Sequence, residues 1–347
     1  MIHVTAAALI LLSMAVPTAD PWAVPASWEV EAHEIRFDSD GIELTGTLYA
    51  PEGAENGPGL VVVQQTNTNV RSLPFFERVA SRFNAIGYSV FLYDRRGSGE
   101  SEGELPHPDY PLLAGDAVAA KRAIGKTEFV DSGRVGFWGH SQGGWLAMMA
   151  GAKSDAAFVI SVAAPLTTPS EQMAEFAYNH VLQTGHGPQA AERARQTRLT
   201  RDAYYRGEAS YAEAHRALAA VDEEPWFDLI VMAPAEQLPT EPPEAGWITE
   251  MDFDPVAPYT AVEAPLLLML GGGDPVIPVQ RTLDIAGEVE TADRRDIVVI
   301  PEADHGMERE GSDGRGKPAE YFMTVGAWVG SLDGGGDSAL ASGPSTP

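Results

Sequence analysis

Gly139-His140-Ser141-Gln142-Gly143 is the stretch on which the fold turns. Before it stands Val135 to Trp138, a short apolar run of strand type. After it, Gln142 to Ala152 is small, apolar and free of proline, which predicts a helix. A G-x-S-x-G pentapeptide between a strand and a helix puts its serine on a sharp, strained turn. Side chains at the two flanking glycine positions would collide with neighbouring backbone in such a turn. The amide groups that open the following helix suit a developing oxyanion. Ser141 is therefore the candidate nucleophile.

Working outward, Leu60 to Val63, Tyr88 to Tyr93, Phe158 to Val162, Pro265 to Leu270 and Ile297 to Ile300 are short runs rich in apolar residues. Strands buried on both faces of a parallel sheet have this composition. Helical spacing occurs at Phe75 to Ile86, Leu113 to Ile124 and, last, Ala319 to Val329. Glu34 to Phe37 and Glu43 to Tyr49 alternate on either side of Ser39-Asp40-Gly41, which predicts an antiparallel hairpin. The fold class is α/β: a doubly wound, mainly parallel sheet with an N-terminal antiparallel hairpin.

The alternation stops after Pro165. Residues 166–255 carry helical patterns at Glu171 to Leu182, Ala190 to Tyr205 and Tyr211 to Ala220, then a proline-rich stretch from Pro234 to Pro243. They are expected to form a helical cap inserted between two parts of one core, residues 27–165 and 256–330. The cap aromatics Phe176, Tyr178, Tyr204, Tyr205, Trp226 and Phe227 are expected to pack its small core, an apolar wall over the site being the alternative. Arg193, Arg195, Arg198 and Arg201, interleaved with acidic residues, suggest solvated helix pairs.

At the N-terminus, Val4 to Val16 is almost wholly apolar, and Ala15 and Ala26 end candidate cleavage sites. A secretory signal over residues 1–26 is expected, with export to the periplasm or the extracellular space, an uncleaved anchor being the alternative. The run is short for a membrane span, so no stable membrane association is expected once it is removed. Residues 331–347, rich in Gly, Ser and Pro, are expected to be a disordered tail.

The formal charge is −27, with no Lys/Arg-rich run, which makes nucleic acid a poor partner. There are no cysteines, so disulfides and thiolate chemistry are excluded. No metal cluster, Walker loop or dinucleotide fingerprint stands out, and neither metal nor cofactor is expected.

A serine nucleophile needs a base and an orienting acid. In a doubly wound sheet these gather at the carboxyl ends of strands. Of eight histidines, only His305 is both late in the chain and just past a core strand. His140 adjoins the serine, and its side chain is expected to point away. Asp274 follows Leu267-Leu268-Met269-Leu270-Gly271-Gly272-Gly273 and is the expected orienting acid; Asp304, beside His305, is the local rival. Tyr93-Asp94-Arg95-Arg96-Gly97 is expected to form a hydrogen-bonded turn near the site, direct substrate contact being the alternative.

Tyr93 to Ser101, Gly139 to Gly144, Gly273-Asp274-Pro275-Val276-Ile277-Pro278 and Asp304-His305-Gly306 together resemble the α/β-hydrolase superfamily, in particular its serine esterases with an inserted helical lid. The resemblance implies a Ser141–Asp274–His305 triad, in the chain order of that superfamily. It also implies an oxyanion hole in which the N–H of Gln142 is one donor. The sequence departs from the superfamily where His-Gly usually follows the first parallel strand: Gln64-Gln65-Thr66 stands there. The second donor then falls to the N–H of Thr66 or Gln65, or to a side-chain amide of Gln64 or Gln65.

The expected activity is hydrolysis of carboxylic esters with small to medium acyl groups, the partner being a small-molecule ester. A serine peptidase or amidase of the same fold is the alternative enzyme, and a non-catalytic ligand-binding protein the alternative of another class. Dehalogenase and epoxide hydrolase chemistry fits poorly, because both use an aspartate where Ser141 stands.

Overall fold

The computed structural model describes residues 30–65, 71–72, 74–105, 108–291, 294–311, 314–316 and 319–333. The expected signal segment, Thr66 and everything beyond Asp333 lie outside these residues.

The chain opens with β1 (Glu31–Ser39), β2 (Ile42–Ala50), β3 (Gly57–Val63), α1 (Pro74–Asn84) and β4 (Ser89–Tyr93). Next come α2 (Tyr110–Ile124), β5 (Val130–His140), α3 (Gln142–Ala152) and β6 (Val159–Val162). Five helices then follow without a strand: α4 (Pro169–Gln183), α5 (Gly187–Tyr205), α6 (Tyr211–Ala219), α7 (Trp247–Glu250) and α8 (Val256–Ala261). The chain re-enters the sheet with β7 (Leu266–Gly271), α9 (Val279–Glu288) and β8 (Arg295–Ile300). It ends with the small hairpin β9 (Arg309–Gly311) and β10 (Gly314–Gly316), then α10 (Ala319–Asp333). Helix α10 thus continues through Ser331 to Asp333, into the stretch expected as a tail.

Eight strands form one sheet in the order β1-β2-β4-β3-β5-β6-β7-β8. β1 and β2 pair antiparallel, as do β2 and β4, and every other pair is parallel. The β1–β2 turn is two residues long. Asp40 and Gly41 sit at φ 53° and 80°, the left-handed pair that matches the twist of a hairpin. The strand order reverses at β3, so the carboxyl ends of β3 and β5 open the crevice where α/β sheets place their ligands.

Alternate residues of the strands feed two cores. Val61, Val63, Phe137, Leu266, Leu268 and Leu270 meet α2 and α3 on one face. Leu60, Val62, Trp138, Ile160, Leu267 and Met269 meet α1 and α10 on the other, against Phe76, Val79, Phe83, Phe322, Val325 and Trp328. Burial on both faces is why these strands read as continuous apolar runs.

Between β6 and β7 the helices build a third core of their own, in which Tyr204, Trp226 and Phe227 are buried and against which Tyr178 and Tyr205 pack. Phe176 lies against His180, ring centroids 4.5 Å apart. Capping boxes start α4 at Thr168 and Glu171 and α6 at Ser210 and Glu213. Arg193 and Arg195 pair with Glu224 and Glu192 on the surface, as expected. Arg198 does not. It is buried, donates to the carbonyl oxygens of Ile230 and Val231, and lies over Trp247; burial lowers its pKa to about 10. Arg201 instead joins the buried Asp202, which also accepts from Ser170 Oγ at 2.7 Å and Trp247 Nε1 at 3.0 Å.

The expected turn after β4 is present. Asp94 accepts the N–H groups of Arg71 and Glu100 as well as the Arg71 guanidinium, and the carbonyl of Arg95 accepts from Ser98. One residue on, the buried Arg96 holds the fully buried Asp116 of α2 by two hydrogen bonds, and Ser39 Oγ donates to the same carboxylate at 2.6 Å.

Candidate active site

Ser141 stands between β5 and α3 at φ 55° and ψ −124°, a left-handed conformation that costs a non-glycine residue about 1–3 kcal/mol. The surroundings hold it there. Its N–H donates to the Val162 carbonyl at 2.7 Å, and its own carbonyl accepts from Gly144 N at 2.8 Å. The two glycines allow close approach of backbone. A Cβ on Gly139 would overlap the Gly143 carbonyl, and one on Gly143 would stand 2.5 Å from the Val63 carbonyl oxygen.

His305 arrives from the turn after β8. Nε2 of its ring lies 3.0 Å from Ser141 Oγ, and Nδ1 lies 2.8 Å from Asp274 Oδ2. Asp274 comes from the turn after β7, where its Oδ1 accepts the Val276 N–H at 2.7 Å. A carboxylate only accepts, so the proton of the neutral imidazole sits on Nδ1 and the lone pair on Nε2 faces the serine. Asp304, the local rival, is committed elsewhere: its Oδ1 accepts the Glu308 N–H at 2.9 Å, closing the turn that presents His305. The three residues expected from three strand ends are thus brought together.

His140 corrects an expectation. Its side chain does not point away but lies against His305, ring centroids 5.0 Å apart, and its Nε2 donates to the His305 carbonyl at 2.6 Å. Its Nδ1 therefore accepts from Gln65 Nε2 at 3.3 Å, and that amide also reaches the His140 carbonyl. The residue before the serine thus supports the base, which no periodicity in the sequence signals.

The glutamines after β3 also differ from one expectation. Gln64 is buried and gives its side-chain amide to the Tyr93 carbonyl, and Gln65 gives its own to His140. Both side-chain amides are engaged within the protein and brace the crevice. Gln142 opens α3, and its N–H belongs to the helix N-terminus beside Ser141, where partial positive charge favours an anion. Thr66 lies outside the described residues.

Gln142 also makes side-chain contacts that the sequence did not reveal. Its Nε2 donates to Tyr110 Oη at 2.8 Å and to Glu250 Oε2 at 3.1 Å, and Tyr110 Oη donates to Glu250 Oε2 at 2.8 Å. Burial raises the pKa of both Glu250 and Tyr110. A groove of about 430 Å³, lined by Tyr110, Pro111, Ile248 and Phe253 among others, runs outside this cluster. Among the described residues no group of three or more His, Asp or Glu side chains is placed to hold a metal ion, and no helix is long and apolar enough to cross a membrane.

Comparison with known proteins agrees with this architecture. The chain is 26% identical over 251 residues to an uncharacterized 31.7 kDa protein of the traX-finO intergenic region of Escherichia coli, covering 70% of this chain and 81% of that one. It is 30% identical over 141 residues to the thiohydrolase apmlB of Arthrinium phaeospermum, covering 40% of this chain and 44% of that protein. Among solved structures, Est1E of Butyrivibrio proteoclasticus with ferulic acid bound is similar in fold, with a TM-score of 0.53 at 16% identity, covering 86% of this chain and 98% of that one. A family model described as the alpha/beta hydrolase family matches residues 68–313, a span that takes in the serine elbow, the helices between β6 and β7 and both turns carrying Asp274 and His305. The chain belongs to the alpha/beta hydrolase family.

Proposed function

We propose that this protein is a serine hydrolase that cleaves carboxylic esters of small to medium acyl groups through an acyl-enzyme on Ser141. The observation that carries the proposal is the His305 ring bridging Ser141 Oγ at 3.0 Å and Asp274 Oδ2 at 2.8 Å. Ser141 Oγ attacks the ester carbonyl carbon as His305 Nε2 takes its proton. The tetrahedral oxyanion is held by the N–H of Gln142 and by a second N–H from the Gln65–Thr66 segment. The C–O bond then breaks, and His305 returns the proton to the leaving alkoxide. Water, deprotonated by the same ring, attacks the acyl-enzyme, and the acid is released as Ser141 regains its proton. Asp274 holds the ring and stabilises the imidazolium in both halves of the reaction.

The test is covalent. A fluorophosphonate probe is expected to label Ser141, and turnover of p-nitrophenyl acetate is expected to vanish in Ser141→Ala. A wild-type protein that neither labels nor turns over ends the proposal. A panel of esters, thioesters and amides of graded acyl length then fixes the bond type, thioesters being included because a relative is named a thiohydrolase. Faster cleavage of amides or thioesters than of matched oxygen esters overturns the ester assignment.

A further inference from the structure

Three side chains from three separate elements close a triangle beside the serine. Gln142 is the first residue of α3, Tyr110 the first residue of α2, and Glu250 the last residue of α7 in the helical segment over the sheet. The hydrogens are carried by the hydroxyl of Tyr110 and the amide of Gln142. Tyr110 donates to Glu250, and the two amide hydrogens of Gln142 go to Tyr110 and Glu250.

Each corner is anchored. Tyr110 is buried, edge-on to Phe253 at 4.9 Å, and Phe253 packs on Trp145 of α3. Glu250 is held from behind by α7. Trp247 donates to the buried Asp202 of α5, and the carbonyl of Met251 accepts from Ser170 N of α4 at 2.9 Å. The segment that carries Glu250 is thus tied to α4 and α5. At the other corner, Gln142 shares its peptide plane with Ser141, whose left-handed backbone already has a narrow choice of conformations.

We propose that Glu250 and Tyr110 are positioning residues that aim the Gln142 N–H at the oxyanion and so couple the seating of the cap to the chemistry at Ser141. The proposal rests on the serine-hydrolase mechanism above. Misaiming a fixed hydrogen-bond donor weakens stabilisation of the transition state more than of the bound ester, so the effect belongs in kcat.

The experiment compares wild type with Glu250→Gln, Glu250→Ala, Tyr110→Phe and the double variant Glu250→Ala/Tyr110→Phe. p-Nitrophenyl acetate is the substrate, and active sites are counted with a fluorophosphonate. For Glu250→Ala and Tyr110→Phe, kcat per labelled site is expected to fall about tenfold with KM within about twofold of wild type, part of the loss that removing a donor outright produces. Because both act on one group, the double variant is expected to lose no more than the worse single one. Glu250→Gln keeps the shape and one acceptor oxygen and is expected to fall between. Unchanged kcat per labelled site, or a change confined to KM, overturns the proposal; should the alanine variants not fold, Glu250→Gln and Tyr110→Phe decide it on the same criteria. Failure of the underlying mechanism looks different, since wild type itself would then not label.

Discussion

Nδ1 of His305 lies 2.8 Å from Oδ2 of Asp274, whose side chain is wholly shielded from solvent while that of His305 stays partly open. The buried carboxylate is an obligate acceptor, so it selects the imidazole tautomer whose lone pair faces Ser141. Asp274→Asn keeps the size and can keep the Val276 N–H bond, but its amide can face the ring as a donor and favour the wrong tautomer. We expect kcat for an activated ester to fall about 10⁴-fold with little change in thermal stability. Steady-state kinetics beside a melting curve checks this, and a loss below tenfold would contradict the role given to Asp274.

Gln64 tests the correction to the oxyanion hole. Its amide is spent on the Tyr93 carbonyl inside the crevice wall. Gln64→Ala is expected to cost about 1–3 kcal/mol of stability, from the lost buried hydrogen bond and the space left behind. Turnover per folded molecule should stay within about threefold, because losing an oxyanion donor would show as about 10²–10³. Urea denaturation and kinetics on the same preparation separate the two.

The Arg96–Asp116 pair bears on stability rather than rate. Asp116 is fully buried and receives Arg96 and Ser39, tying α2 to the end of β1 and to the turn after β4. Asp116→Ala leaves a buried guanidinium unpaired and should cost about 3–5 kcal/mol, whereas Arg96→Met together with Asp116→Leu should cost clearly less. Equal denaturation midpoints for the two variants would show that the charge is not what makes the single change expensive.

Glu250 gives a pH prediction with a definite sign. Burial holds its carboxyl above the ordinary value of 4.5, against the opposing hydrogen bonds from Tyr110 and Gln142. An acid whose folded pKa is raised binds its proton more tightly in the native state. Its contribution to stability is therefore present below 4.5 and is lost as pH rises through the folded value. Relative to Glu250→Gln, wild type should lose stability as pH rises across that window. Denaturant midpoints of the two proteins from about pH 4 to about pH 7 check it; a difference that does not change with pH would contradict it.

Much of this was legible in the chain because burial leaves a strong mark on composition. The runs at Leu60 to Val63 and Leu266 to Leu270 are apolar throughout since both faces of their strands are covered. The elbow was legible because close backbone approach leaves room only for hydrogen at Gly139 and Gly143. Other features left no such mark. β5 begins at Val130, ahead of Asp131-Ser132-Gly133-Arg134, where a register shift opposite Gly57 and Gly59 lets polar residues sit in a strand. α9 is marked only weakly: Val279, Leu283 and Ala286 stand at helical spacing but are partly buried, and Pro278 opens the helix without a side-chain cap. Arg198 read as a surface charge because charge patterns cannot show which carbonyl groups a folded neighbour will offer. The orientation of His140 and the partners of Gln142 depend on residues 165 and 108 positions away, beyond the reach of any local period.

β6 and β7 lie side by side, Val159 opposite Leu266, although residues 163–265 run between them. The entropy of closing such an excursion grows only with the logarithm of its length, about 0.6 kcal/mol per doubling. The sheet is thus nearly indifferent to how much chain departs and returns at that seam. Length at that seam costs little, yet what is inserted there is tied to the strand ends: Glu250 to Gln142 beside Ser141, and Asn179 to the Pro275 carbonyl beside Asp274.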